Sequence, residues 1–399
     1  MKRLVIKEFG PIREADMELR KINAIIGPQS SGKSCILKIA CHCAWVEKRI
    51  EMASSESAFT EGDTFISGLL RFHKLGGYLR PGSFIGYESD RVKFSYGNSK
   101  FVFEWKDRSE PYLRPKLSYV PAERNLVAVI PNWYEVKFSD NNIRSFMADW
   151  ERARKEQVKG LNIMNLGVSY RYDQNSGSDR IDLTGAEGGS LDFTNASSGL
   201  QSFIPLYVHL NYLMGDGLNK FDMSIEDLNH ITFDSSDLKE FRDRFNDYVN
   251  IHYYGHAPSM QDIYARLVKC DHCDIFIEEP EENLFPQTQY DMVCWLARRC
   301  NENARHSLFV ATHSPYVMTS FNNLLQAGGV LESQPGKRAE VDAVLDASCA
   351  IDPSAFCAYA VKDGLVHDIM DREYGLVSAE ELDSVSARIG SQFEKLLDL

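Results

Sequence analysis

The chain has 399 residues, of which 44% are hydrophobic and 25% charged, and it carries a formal net charge of −13. That size and apolar content suffice for one large α/β domain with insertions or for two modest domains, and the charged fraction is that of a globular protein. The acidic balance argues against a general nucleic-acid binder, which needs clustered Lys and Arg, and no apolar run approaches the roughly 20 residues that span a bilayer.

The N-terminal stretch Met1-Lys2-Arg3-Leu4-Val5-Ile6-Lys7 is charged too early to be a signal peptide, so a cytoplasmic protein with no membrane association is expected. Residues 3–8 alternate in polarity and meet the turn signal Gly10-Pro11. Ile22-Asn23-Ala24-Ile25-Ile26 is a short apolar run of the kind a buried strand makes, a Gly-rich loop follows it, and residues 33–51 have helical spacing. Phe84–Tyr87, Val92–Tyr96 and Phe101–Trp105 are short alternating strands, with Gly97-Asn98 as a hairpin signal between the last two. A further strand, Leu117–Val120, ends in Pro121-Ala122-Glu123-Arg124.

Residues 141–160 are predicted helical. Arg144, Arg152, Arg154, Lys155 and Lys159 cluster there, but Glu151 and Glu156 interrupt them, as on a solvated helix face. Residues 161–195 are rich in Gly, Ser, Asn and Asp and predict loops with short strands. A helix is predicted over 200–214, with Pro205 kinking it near its start, and polar helical pieces over 215–265. Residues 274–278 and 307–312 are predicted strands, 286–300 a helix and 315–326 a helix and turn. The tail carries a hairpin at Asp363-Gly364 and an amphipathic helix from about 379. The nine cysteines are scattered, as expected of reduced thiols rather than a disulfide framework. Cys270 and Cys273 form a C-x-x-C around His272, but no second ligand pair accompanies them, so no zinc site is expected.

Four motifs carry chemistry. Gly27-Pro28-Gln29-Ser30-Ser31-Gly32-Lys33-Ser34 fits G-x-x-x-x-G-K-[ST] without mismatch, between a predicted strand and a predicted helix. Glycines there let backbone N–H groups turn inward around phosphates. Lys33 adds a charge for the β- and γ-phosphates, and the Ser34 hydroxyl can ligate Mg²⁺ at the positive end of the helix. Ile275-Phe276-Ile277-Glu278-Glu279-Pro280 is an apolar strand ending in two carboxylates. Glu278 can stand beside the metal, and Glu279 can serve as general base for an attacking water. Thr312-His313-Ser314 closes the next strand at the edge where α/β sheets bind ligands, so His313 can sense the γ-phosphate. Ala196-Ser197-Ser198-Gly199-Leu200-Gln201 opens a helix with small hydroxyl residues and a Gly, a second anion site or a plain N-cap.

In this order the motifs resemble the ABC-type ATPases of the RecF, SMC and OLD group, and look most similar to the small stand-alone ATPases of bacterial anti-phage systems such as Septu, PARIS and some retrons. Phe9-Gly10-Pro11-Ile12, Glu278-Glu279-Pro280-Glu281 with Leu284 and Pro286, and Thr312-His313-Ser314-Pro315 carry the likeness, and Asp363-Gly364 and Glu381-Leu382-Asp383 extend it to the tail. The resemblance implies an α/β P-loop NTPase head with a central, mostly parallel sheet, an antiparallel β subdomain and a helical insertion. It implies ATP and Mg²⁺ as ligands, Glu279 as base, His313 as switch, and Glu278 where many relatives have Asp. It also implies a head-to-tail homodimer, or a higher even oligomer, in which Ser197, Ser198, Gly199 and Gln201 of one protomer cover the nucleotide of the other. Ser-Ser-Gly-Leu-Gln departs from the family's Ser-Gly-Gly-Gln, and Pro121–Arg124 stands where a Q-loop is sought.

The expected division is an N-terminal lobe over 1–135, a connecting insertion over 136–195, a C-terminal lobe over 196–330 with an inserted helical segment at about 215–265, and a tail over 331–399. Residues 125–195 hold no sustained heptads, so the coiled-coil role of SMC proteins is not expected. Only 86 residues follow His313 and show no Toprim pattern, so no nuclease of its own is expected. The leading reading is a regulatory ATPase controlling a separate effector, a nuclease or toxin. The alternatives are a RecF-like DNA-repair ATPase that binds DNA directly, which the charge does not indicate, and a scaffold that binds ATP with little turnover.

Overall fold

The computed structural model describes residues 2–53, 55–106, 112–130, 132–137, 139–185, 188–221, 269–378 and 384–397. Most of the helical segment expected over 215–265 lies outside these residues, as do residues 379–383 of the tail.

Strands β1 (Lys2–Phe9), β2 (Ile12–Leu19), β3 (Ile22–Ile26), β4 (Leu79–Glu88), β5 (Val92–Gly97), β6 (Lys100–Trp105) and β7 (Pro115–Val120) precede a separate four-stranded antiparallel sheet. That sheet consists of β8 (Leu161–Asn162), β9 (Val168–Asp173), β10 (Ser178–Leu183) and β11 (Ser190–Asp192). β12 (His272–Glu278), β13 (Ser307–Thr312), β14 (Phe356–Lys362) and β15 (Leu365–Asp368) complete the main sheet. Its order is β6-β5-β4-β1-β2-β15-β14-β3-β13-β12-β7.

The five strands from β14 to β7 pair in parallel. The antiparallel strands expected beside them continue the same sheet, so the central sheet is mixed. β2 joins the two parts, pairing antiparallel to β1 and parallel to β15. Its charges obscure a regular alternation in which Ala15, Met17 and Leu19 point into the core.

The parallel strands read as apolar runs because both faces are covered. Ile25, Phe276 and Phe309 face one core, into which the Lys33–Ala53 helix sets Ile36, Leu37, Ala40 and Val46. The Phe276 and Phe309 rings stack there with centroids 4.6 Å apart. The alternate residues Ile22, Ala24, Ile275, Ile277, Leu308 and Val310 face the other core. Helices Asn142–Lys155, Ser198–Leu213, Pro286–Asn301 and Pro315–Ser333 cover that side. The Ser198–Leu213 helix continues through Pro205, which is buried. No helix among the described residues is long and apolar enough to cross a membrane.

Candidate functional site

β13 lies between β3 and β12 in the sheet. Because the three run parallel, the Gly-rich loop after β3, the paired glutamates ending β12 and the His that follows β13 emerge at one edge. Ligands bind at this edge of open parallel sheets.

The loop's shape is set by backbone conformation and close approach. Ser30 and Gly32 have φ of 61° and 111°. A Cβ on Gly27 would stand 2.6 Å from the Val361 carbonyl at the end of β14. One on Gly32 would stand 2.4 Å from Ile12 Cδ1. The Phe9–Ile12 turn therefore packs directly under the loop. The Asp363-Gly364 hairpin is tied to the same turn by the Gly364 carbonyl, which accepts from Arg13 N at 2.8 Å and Glu14 N at 3.1 Å. Pro28, Gln29 and Ser30 are exposed, whereas the Ser31 hydroxyl is buried without a hydrogen-bond partner.

Lys33 folds over this loop. Its Nζ donates to the Gly27 and Pro28 carbonyls, each at 2.8 Å, and lies 3.1 Å from His313 Nδ1. Burial pulls the Lys33 ammonium down to about 8, against the opposing pull of Glu279, Glu281 and Glu278. On its other side His313 Nε2 lies 3.0 Å from Glu279 Oε1. One tautomer satisfies both contacts: Nδ1 accepts from Lys33 and the Nε2–H donates to Glu279. His313 Nδ1 is also 3.0 Å from the Gly27 carbonyl, a contact that this tautomer does not use.

The sequence around His313 explains its presentation. Thr312 Oγ1 accepts from Ser314 N at 3.0 Å. Ser314 Oγ caps the next helix by accepting from Tyr316 N and Val317 N, and Pro315 starts that helix. The backbone therefore turns at His313, whose own N–H donates to Glu281 Oε1 at 2.6 Å.

Glu279 sits in the left-handed region with φ of 44°, and its N–H donates to the Ala311 carbonyl at 2.8 Å. Glu278 is nearly buried; the Tyr119 hydroxyl donates to Oε1, and Lys38 Nζ is 3.6 Å from the same oxygen. Burial pushes the Tyr119 phenol well above its ordinary range, and Glu278 adds to that shift. Ser34 is the second residue of the helix that Lys33 opens and is half-buried. A serine hydroxyl and a carboxylate are the hard oxygen donors that Mg²⁺ takes alongside phosphate. With the unpartnered Ser31 hydroxyl in the adjoining loop, the residues present fit a Mg²⁺–nucleotide.

Ser197 and Ser198 are exposed, and the Ser197 side chain makes no capping hydrogen bond. Gly199 is required by close approach, since a Cβ would meet the Asn283 carbonyl at 2.9 Å. Gln201 turns back on its own chain, its Nε2 donating to the Thr194 carbonyl at 2.8 Å. Cys270 and Cys273 are buried and donate to the Phe221 and Leu213 carbonyls. Among the described residues, no three His, Cys, Asp or Glu side chains are grouped to hold a metal by themselves.

Sequence reasoning missed the residue that joins these parts. Arg124 is 1% exposed. Its Nε donates to Ser202 O at 2.9 Å, Nη1 to Glu278 O at 2.9 Å and Nη2 to Glu279 O at 2.7 Å. In the sequence it is marked only as the last residue of Pro121–Arg124, the stretch after β7 that stands where a Q-loop is sought.

No family model matches the chain, and no curated protein matches it. Among solved structures it is similar to the SMC head domain from Thermotoga maritima, with a TM-score of 0.36 and 10% identity over 92% of this chain and 97% of that one. It is similar to the Smc head domain with an extended coiled coil bound to the C-terminal domain of ScpA, from Pyrococcus furiosus, at a TM-score of 0.38 and 10% identity over 99% and 100% of the two chains. It is also similar to the recombination mediator RecF with ATPγS, at 0.31 and 10% over 92% and 97%.

Proposed function

We propose that this chain is an ATP-binding and hydrolysing ATPase of the ABC type, which closes as a dimer around ATP and controls a separate effector protein. The observation that carries the reading is the His313 ring, held between the P-loop lysine and Glu279, the residue just after the neighbouring strand. That arrangement connects phosphate recognition to water activation in one side chain.

In this reading, backbone N–H groups of Gly27–Gly32 surround the phosphates, and Lys33 turns from the Gly27 and Pro28 carbonyls to the β- and γ-phosphates. Ser34 and Glu278 hold Mg²⁺, which supplies charge neutralisation at the phosphates. Glu279 takes the proton of the attacking water, and His313 orients Glu279. Ser197, with its uncapped hydroxyl, and Ser198 and Gly199 meet the nucleotide of a facing protomer, and Gln201 braces that turn through Thr194. The effector role in anti-phage defence follows from the likeness of the Phe9–Ile12, Glu278–Pro286 and Thr312–Pro315 stretches to stand-alone defence ATPases.

Glu279→Gln should retain ATP binding and slow hydrolysis by about 10²–10⁴-fold, the usual share of a general base. Lys33→Ala should instead lose nucleotide affinity. Near-normal turnover in the Glu279→Gln protein, measured as phosphate release, removes Glu279 from the mechanism and the reading with it.

A further inference from the structure

We infer that Arg124 is a positioning residue for hydrolysis: its buried guanidinium fixes the peptide of Glu279 and ties it to the Ser198–Leu213 helix. The inference rests on the ATPase reading above and extends it to a residue buried outside the P-loop.

Arg124 follows β7 in a short 3-10 turn, Ala122–Asn125. A guanidinium is planar and presents five N–H donors in a fixed fork. Here the fork is spent on main-chain carbonyls. Nε reaches Ser202 O at 2.9 Å, Nη1 reaches Glu278 O at 2.9 Å and Pro121 O at 3.4 Å, and Nη2 reaches Glu279 O at 2.7 Å. The Glu282 carboxylate, 3.5 Å from Nη2, is its counter-ion. Burial favours the neutral form of both partners, so each charge is retained there through the other.

The carbonyls it holds are those of the two glutamates at the proposed reaction centre. Glu279 has positive φ, a conformation that a residue with a Cβ keeps only when its surroundings over-determine it. Three bonds do so: the Ala311 carbonyl accepts the Glu279 N–H, and the Glu279 carbonyl accepts from Arg124 Nη2 and, at 3.0 Å, from Glu282 N within its own turn. The third arm of the fork grips the helix whose first residues are Ser198 and Gly199. Asn283 adds a parallel tie, donating from Nδ2 to Ser202 Oγ at 2.9 Å. A shift of that helix end is therefore passed to the peptide of Glu279 rather than absorbed by a loop.

Arg124→Lys keeps the charge but replaces the planar fork by three donors on a single nitrogen, which cannot span the same carbonyls. Its expected effect is a fall in kcat of about 10- to 100-fold, the range that a misplacement of order 1 Å produces. Affinity for a fluorescent ATP analogue should stay within about threefold, because Arg124 does not contact the P-loop. The decisive readout is the Arg124→Lys/Glu279→Gln double variant. A residue acting through Glu279 adds almost nothing once the base is gone, whereas a general structural defect multiplies the two losses. If Arg124→Lys does not fold, Glu282→Gln removes the counter-ion with little change in volume and is run through the same cycle. Normal kcat in the folded single variant, or multiplicative losses in the double, overturns the inference. Failure of Glu279→Gln to slow hydrolysis overturns the ATPase reading instead, so the two failures are distinct.

Discussion

His313 has two ring nitrogens with different duties, and amide side chains can test them separately. In His313→Asn the amide stands near the place of Nδ1, so the contact toward Lys33 survives and the one toward Glu279 is lost. In His313→Gln the amide nitrogen reaches the place of Nε2 and restores the donor to Glu279. The hydrogen bond at stake, 3.0 Å to a carboxylate, belongs to a class that contributes about 1.5–3 kcal/mol. The Glu279 side chain is 38% exposed, so solvent screening brings the figure to the lower end, about 1.5 kcal/mol. That energy is roughly tenfold in rate. His313→Asn should therefore lower kcat about tenfold, and His313→Gln should stay within about threefold of the parent. The backbone N–H of residue 313 still donates to Glu281 in both variants, so the turn keeps its anchor. Steady-state phosphate release, with nucleotide Kd measured separately, reads the difference. Equal kcat in the two variants would refute the assignment of Nε2 to Glu279.

Two further outcomes are expected. His42 is buried with Nε2 3.0 Å from the Phe65 carbonyl, and burial lowers its imidazolium to about 4. Because the folded value lies below the unfolded one, this stability is present above about 6.5 and is lost as pH falls toward 4. The share of His42 between pH 7 and pH 5 is about 2 kcal/mol, so His42→Gln should show a smaller loss over that interval in urea unfolding; an unchanged loss would contradict the burial argument. The dimer is tested by mixing a Lys33→Ala protein with a Ser197→Arg protein, each inactive alone. Up to roughly half the activity per mixed dimer should return if the sites act independently, since one composite site is then intact. Ser197 is chosen over Gly199 because any side chain at Gly199 meets the Asn283 carbonyl within its own protomer. A mixture as inactive as its parents, together with ATP-independent monomers in light scattering of the Glu279→Gln protein, would dispose of the sandwich.

The parallel half of the sheet was legible because strands buried on both faces leave unbroken apolar runs, and β3 and β13 were bounded at the residues where they begin and end. β2 was missed because Arg13, Glu14, Asp16 and Glu18 dominate its appearance, although Ala15, Met17 and Leu19 alternate beneath them. The Pro315–Ser333 helix runs past the helix and turn expected over 315–326, through Gly328-Gly329. It continues because Gly328 lies against the Ile351 carbonyl, where a Cβ would fall 1.8 Å away. Glycine there serves a close approach and not a cap, a distinction carried by a segment more than twenty residues further along the chain. At the site, the P-loop, Glu278, Glu279 and His313 stand on one sheet edge because each is placed by the end of a strand in the parallel set, whereas Ser197–Gln201 follows the separate antiparallel sheet. Tyr119 and Lys38 carried no such label, and Arg124 only that of the stretch it closes, since what they touch is decided by packing between distant elements.

The acidic turn at the end of β12 shows why that distinction matters. Glu278, Glu279, Glu281 and Glu282 fall within five residues, interrupted only by Pro280. Like charges at this spacing repel, and the chain tolerates them because each is met by a different partner. Glu278 is met by Tyr119 and Lys38, Glu279 by His313, Glu281 by the His313 backbone N–H, and Glu282 by Arg124. Those partners arrive from β7, from the turn after it, from the helix that follows the P-loop, and from the end of β13. None of these partners belongs to the turn itself. The cluster is thus visible in the sequence as four acids, but its geometry exists only once β7, β12 and β13 are in register. Substitution of any one partner leaves a carboxylate facing its neighbours. Variants at Lys38 or Arg124 should therefore disturb the position of Glu279 even though neither side chain hydrogen-bonds its carboxylate.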